Sequence, residues 1–444
     1  MEILVMIGQV VLALAILIGL HEAGHMLAAK AFGMRVEKFA IGFPPKIFSF
    51  KAGETEYSLG AIPLGGFVKI SGMIDESLDM ESMASEPEPW EFRAKPAWQR
   101  LIVMMGGIIV NVILGVIIFI SLTYFYGDEY IPREEVVRHG IVAGDYGQEI
   151  GLKTGDKITE LNGNSYKGFN ELKGEEAILT DDSYYTVERD GRTIRVDIPP
   201  NVLEAMSDKE KAANFFEIRF PFVVDAFSDK IPYAKESGLQ KGDKILAVNG
   251  KAITYFDELQ EEVQRNRDGK VELTVLRGEE RLNLTSKVDT AGYMGMQPKA
   301  ELNMATQTYN FGESLNLGTD RAFGSVMANI KGFGTVISRW LDGNASLGKS
   351  VMGPFQMGKI FGPVWIWQKF WTITAILSMW LAFVNFLPIP ALDGGHVVFL
   401  TYEMISGNKP SDKFLEVAQK VGMAIVLTLM ILVVGNDFWQ MIFG

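Results

Sequence analysis

The chain contains no cysteine, which excludes disulfides, thiolate metal ligands and thiol nucleophiles together. Histidine is almost as scarce, with only His21, His25, His139 and His396 among 444 residues. No stripe of lysine or arginine stands out and the net charge is −12, so nothing here could neutralise a run of phosphates and a nucleic-acid partner is not expected. Charged residues make up only 22% of the chain, which leans toward a membrane protein. Between Ile3 and Leu20 charge is missing altogether.

Apolar residues concentrate in four blocks, 3–29, 101–125, 370–392 and 421–434. The first three can cross a hydrocarbon core at 1.5 Å per residue, and the fourth does so if 435–443 continues the helix. The first block has no basic start and no small-residue cleavage pattern, so it is expected to be retained. Lys30, Arg35 and Lys38 follow the first block and Arg93, Lys95 and Arg100 precede the second, with Lys409, Lys413 and Lys420 between the third and fourth. The positive-inside rule then makes those loops cytoplasmic and puts 127–362 and both termini on the other side.

Within that long segment the chain repeats at a shift of 87 positions. GLKTGDKITELNG (Gly151 to Gly163) aligns with GLQKGDKILAVNG (Gly238 to Gly250), and Glu171-Leu172 falls on Glu258-Leu259. Each copy continues into alternating strand patterns, YYTVERDGRTIRVDI and VELTVLRGEERLNLT, related by a further one-residue slip. Two homologous β-rich modules are expected, with turns at the Gly-Asp pairs and tight hairpins at Asn-Gly. The repeat resembles bacterial PDZ domains, modules that take an extended peptide by strand addition.

Two other stretches carry organisation. Met73 to Phe92 holds seven acids and no lysine or arginine, as a solvated linker does. Phe323, Val326, Ile330, Phe333, Val336, Ile337 and Trp340 recur at helical spacing with Arg321, Lys331 and Arg339 between them. That predicts an amphipathic helix, packed against the repeats or lying on the membrane surface.

The chemistry is concentrated in His21-Glu22-Ala23-Gly24-His25. Histidines at i and i+4 of a helix share a face and can share a metal, and zinc suits neutral imidazole. An adjacent glutamate can take the proton from a water whose pKa zinc has brought to about 7, which makes Glu22 the candidate base. Ionisable groups inside a membrane segment cost about 2.5–3.5 kcal/mol each on insertion scales, so their presence there points to function. A third ligand is open from local sequence: Glu54 and Glu56 lie in a β-like stretch, Asp393 stands near the end of the third block, and His396 follows it. A histidine six residues after His25 is ruled out, because that position is Ala31.

HEAGH in the first block, with Asn385, Pro388, Asp393 and Gly394 spaced N-x-x-P-x-x-x-x-D-G in the third, resembles the site-2 protease family of zinc intramembrane proteases. The resemblance extends over nearly the whole chain, to a branch with four spans and tandem PDZ domains between the second and third. It implies that His21, His25 and Asp393 bind Zn2+, that Glu22 is the base and that Asn385 holds the substrate backbone or the developing oxyanion. It further implies that IPLGGFVKI, with Ile62, Leu64, Gly65 and Gly66, forms a membrane-reentrant β-loop whose edge receives an unwound substrate strand. Two departures stand out: Gly42-Phe43-Pro44 where the family often has Gly-Phe-Gly, and Gly107-Ile108-Ile109-Val110-Asn111 where it often has Gly-Pro-x-x-Asn.

The expected architecture is a multi-span α-helical membrane protein with four transmembrane helices, a membrane-associated β-loop and two periplasmic PDZ domains. Its divisions are a first span with the metal motif (1–32), a cytoplasmic segment with the β-loop (33–97), a second span (98–126), PDZ modules (127–220 and 221–308) and an amphipathic connector (309–362). A third span (363–397), a loop (398–418) and a fourth span (419–444) complete it. The resemblance implies an inner-membrane endopeptidase of regulated intramembrane proteolysis. Its substrates would be single-span proteins, such as a pre-trimmed anti-sigma factor or remnant signal peptides, filtered by the PDZ pair. A non-proteolytic PDZ scaffold and a zinc transporter or sensor are the competing classes.

Overall fold

The computed structural model describes residues 2–73, 86–174, 177, 182–199, 202, 214–341 and 354–443. The acidic linker expected across 73–92 falls largely outside them, as do the side chains of Leu64, Phe333, Val336, Ile337, Arg339 and Trp340. The chain divides into two compact units, Met1–Gly127 with Thr308–Gly444, and Asp128–Gln307.

In the first unit α1 (Glu2–Ala31) and α2 (Ala97–Tyr126) flank two long strands, β1 (Val36–Ala52) and β2 (Thr55–Ile70). After the second unit come α3 (Phe311–Leu341), α4 (Pro354–Phe361), α5 (Trp367–Phe386), α6 (Asp393–Ser406) and α7 (Asp412–Phe443). Four helices are long and apolar enough to cross a membrane: α1, α2, α5 and Lys413–Asp437 of α7. The shortest of them, α5 with 20 residues, is about 30 Å long, the thickness of a hydrocarbon core.

Small residues set how closely these helices meet. A Cβ on Gly24 of α1 would lie 2.3 Å from the Gly106 carbonyl oxygen of α2, so the two backbones are in direct contact. Gly115 of α2 makes room for the Met379 sulfur of α5, and the Ser378 hydroxyl donates to the Asn111 carbonyl across the same interface at 2.8 Å. The Ser378 hydroxyl is thus paired inside the apolar layer, as lipid favours. Gln9 likewise donates to the Gly362 carbonyl at 2.9 Å.

The registers of β1 and β2 resolve into four segments. Segment 46–52 pairs with 55–60, while 36–41 pairs on one side with 56–59 and on the other with 66–70. Segment 66–70 therefore forms an edge, with no further strand beside it among the described residues. Gly66 in that edge lies against α1: a Cβ there would meet Ile18 Cγ2 at 2.7 Å and Glu22 Cγ at 3.2 Å.

The second unit contains two β-rich modules, each with its own core. One is built around Ile141, Ile158, Leu172, Tyr185 and Phe216, the other around Phe222, Ile245, Leu259, Val271 and Leu273. The sequence repeat reappears as repeated bonds. Asp156 and Asp243 each accept a backbone N–H, from Lys153 and Gln240, and each binds a guanidinium, of Arg189 and Arg277, whose far nitrogen donates to the carbonyl of Gly151 or Gly238. Burial pushes the Asp243 carboxyl up, but Arg277 and the Gln240 N–H outweigh it and hold the group below the usual carboxylate range. Asn162 and Asn249, both at positive φ, accept the N–H groups of Tyr184 and Glu272. Arg219 joins the modules by bonding Asp257 and Glu258, and Glu135 accepts both the backbone N–H and the side-chain amide of Asn303.

Three features differ from the sequence expectations. The third span and following loop, expected as 363–397 and 398–418, are instead α5, an irregular stretch at 387–392 and the separate helix α6. Pro388 and Pro390 cannot donate to a helix ladder and disfavour helix in the residues before them, which ends α5 at Phe386. The amphipathic helix α3 packs on spanning helices, with Ala322 and Val326 against Ile118, Phe119, Ala375 and Met379. His139, expected at the surface, is 12% exposed, 3.4 Å from Glu135 and edge-on to Tyr255 of the other module.

Candidate metal centre and active site

HEAGH lies in the last third of α1, where the Gly24–Gly106 contact brings α2 against it. His21 and His25 are both 7% exposed, and their Nε2 atoms are 3.2 Å apart. Asp393, the first residue of α6, brings Oδ2 to 3.2 Å from His21 Nε2 and 3.3 Å from His25 Nε2. Its place follows from the chain before it: a Cβ on Gly394 would strike the Leu387 carbonyl at 2.2 Å, and one on Gly422 of α7 would strike the Pro390 carbonyl at 1.5 Å. Glycines let these backbones close around 387–395 and deliver the carboxylate to the two rings.

The three ligand atoms form a nearly equilateral triangle. A tetrahedral ion with bonds of about 2.0–2.1 Å sets its ligand atoms about 3.3–3.4 Å apart, so the triangle has the size of one face of a tetrahedral zinc site. Asp393 Oδ2 is buried without a hydrogen-bond partner, a costly condition for a carboxylate oxygen unless a cation faces it. The residues present therefore fit zinc. Among the described residues, this is the one group of three or more possible ligands that converges in this way.

Helix α2 contributes no ligand but orients both rings. His25 Nδ1–H donates to the Val103 carbonyl at 2.8 Å, which leaves the Nε2 lone pair facing Asp393. The Asn111 side-chain amide, fully buried, meets His21 Nδ1 at 3.1 Å, and its Oδ1 has no other partner. With the amide turned so that Oδ1 accepts from Nδ1–H, His21 Nε2 is also free to ligate. Gly107 fits flat beneath both rings, since a Cβ there would lie 2.4 Å from His25 Nε2. These α2 contributions were not anticipated from sequence, although Asn111 and the Gly106-Gly107 pair are among the polar and small interruptions of a largely apolar helix.

The other expected residues fall as follows. Glu22 is part-buried and lies beside Gly66 of the edge segment. Asn385, on the last turn of α5, places Nδ2 3.2 Å from His21 Nε2. Ile62 is 44% exposed and pairs with Phe43, and Gly65 abuts the Phe43 ring. Glu54 and Glu56 are not part of the ligand cluster; Glu56 is paired with Lys46. His396 is also outside it and lines a small cavity with Phe92, Arg93 and Arg100.

The model of peptidase family M50 matches residues 9–429. The chain belongs to this family, the site-2 proteases. Among relatives, a Fusobacterium nucleatum protein with a zinc metalloprotease name is 29% identical over 435 residues, covering 97% of this chain and 98% of that one. The regulator of sigma E protease of Haemophilus influenzae is 26% identical over 470 residues, 99% of this chain and all of its own length (100%). The metalloprotease MmpA of Caulobacter vibrioides is 24% identical over 449 residues, 98% and 95% of the two chains. The chain is thus a zinc metalloprotease with four candidate membrane helices and appended β modules, an integral membrane protein.

Proposed function

We propose that this protease is an intramembrane endopeptidase that cuts single-span membrane proteins within or near their membrane segment. The observation that carries the reading is the His21–His25–Asp393 triangle, two of whose members lie on α1, a helix long and apolar enough to cross a membrane. In this reading those three residues hold the metal. Zinc, when bound, supplies Lewis acidity that polarises a carbonyl and makes water acidic near neutral pH. Glu22 takes the proton of the attacking water and passes it to the departing amine, the usual work of a general base and then acid. Asn385 donates its amide to the substrate backbone or to the developing oxyanion.

A helical peptide bond is shielded by its own ladder and must be extended before attack. The free edge 66–70, with Gly66 next to Glu22, supports a role in holding such an extended segment, with Ile62, Leu64 and Gly65 at its approach. We assign the two modules of the second unit as PDZ domains and infer that they admit only substrates whose outer domain has been trimmed. The ion pairs that join them into one body support a filter of fixed shape. The name of the Haemophilus influenzae relative favours an anti-sigma factor as the substrate type, with remnant signal peptides as a second group. Family membership favours an inner-membrane location, and the basic residues flanking the spans support an orientation with 33–97 cytoplasmic and the modules and both termini periplasmic.

The test is Glu22→Gln, with zinc content and cleavage of a single-span reporter both measured. Zinc retained with cleavage lost supports the assignment, and unchanged cleavage overturns it. A reporter series with outer domains of increasing size tests the filter, which predicts a sharp fall in cleavage that disappears when 128–307 is removed.

A further inference from the structure

The third ligand is carried by α6, which packs on α2 along one face and leaves the other exposed. Along α6, Val398, Tyr402, Met404 and Ile405 are 48%, 55%, 49% and 83% exposed, whereas Leu400 is buried against Met34, Ile70, Phe92 and Met104. One turn beyond Leu400 is Glu403. Its Oε1 accepts from Arg100 Nη2 in the first turn of α2, with side chains only 16% and 8% exposed. The same guanidinium donates through Nε to the Lys95 carbonyl at 2.9 Å and lies over the Phe92 ring, 6.0 Å from its centroid. Arg100 is thereby fixed relative to the start of α2, and Glu403 is fixed relative to Arg100.

We propose that Arg100 and Glu403 are a positioning pair that sets Asp393 in register with the two histidines. Helix α2 orients His25 through Val103 and His21 through Asn111. The ion pair makes α2 the reference for the third ligand as well, although Glu403 lies at the far end of α6 from Asp393. A helix behaves as a lever on this scale: a tilt at Glu403 moves the first residue of α6, and a ligand oxygen displaced by a few tenths of an ångström leaves the range that zinc tolerates. A buried guanidinium–carboxylate pair also resists neutral replacement of one partner, because the remaining charge is left uncompensated.

The proposal rests on the zinc assignment above, and the experiment separates the two. Zinc affinity of the full-length protein in detergent is measured by competition with a chelator, and the absorption spectrum of the Co2+-substituted protein reports ligand geometry. Glu403→Gln keeps the side chain's volume and is expected to weaken zinc binding by about 10-fold or more, the usual size of an indirect ligand-orienting effect, and to alter the Co2+ bands. Arg100→Gln should do the same, and the exchange Arg100→Glu with Glu403→Arg should restore both readouts. A merely structural contact would lower thermal stability without changing the Co2+ spectrum. If Arg100→Gln does not fold, Glu403→Gln decides alone. Parental affinity and spectrum in Glu403→Gln overturn the positioning pair, as does a folded exchange variant no better than the single ones. A parent protein that binds no zinc overturns the metal assignment instead.

Discussion

Gly24 and Gly106 touch backbone to backbone where α1 crosses α2, and Gly24 stands between the two histidines of the candidate metal centre. A Cβ on Gly106 would be 2.6 Å from the Gly24 carbonyl, and one on Gly24 only 2.3 Å from that of Gly106. The contact holds the Val103 carbonyl and Asn111 within hydrogen-bond reach of the rings. Gly24→Ala should separate the helices and cost about 1–3 kcal/mol of stability, the usual penalty for overpacking. Zinc content and melting temperature measured together check this, and both are expected to fall.

Asn111→Ala removes the orienting partner of His21 and leaves the ring free to turn. A 10- to 100-fold loss of zinc affinity is expected, about what such outer partners contribute to other metal sites. Asn111→Asp retains an acceptor for Nδ1–H and should bind zinc more tightly than the alanine variant. Chelator competition distinguishes the two.

Removal of zinc should abolish cleavage and its return should restore it. Asp393→Ala leaves only two ligands, so this variant should not be rescued by zinc at concentrations that restore the parent. Reporter cleavage after chelation, followed by zinc titration, provides the comparison.

Acid should loosen the second β module through Asp243. Its carboxyl is held below the usual range in the folded state, so its contribution is present above the unfolded value of about 3.9 and is lost as pH falls through the folded one. Hydrogen exchange in the 238–243 turn, referred to intrinsic rates, should rise below about pH 4. In Asp243→Asn it should already be high at pH 7 and change less on acidification.

Much of the candidate centre was legible because ionisable residues are conspicuous in apolar sequence: HEAGH and Asp393 both interrupt long uncharged stretches. The β modules were legible through their repeat, down to the one-residue slip that recurs as Arg189 against Arg277. Helix α2 was not legible as a scaffold. Val103 acts through its backbone carbonyl, which any residue would offer, and glycines such as Gly106 are common in membrane helices for many reasons. The Arg100–Glu403 pair joins positions from distant parts of the chain that no local pattern relates. The partner of α3 was also hidden: of the expected stripe Val326 packs on the spanning helices whereas Phe323 is 54% exposed, so helical spacing named neither the buried face nor what covers it.

The break at 387–392 has a consequence for the making of this protein. Helix α1 carries two histidines and a glutamate, but the carboxylate that would complete the candidate set begins a different helix, α6, which is made much later. Until α6 has emerged and docked, the nascent polypeptide holds half a centre with nothing to close it. With the proposed ligand set divided in this way, cleavage would have to wait until both parts of the chain are made.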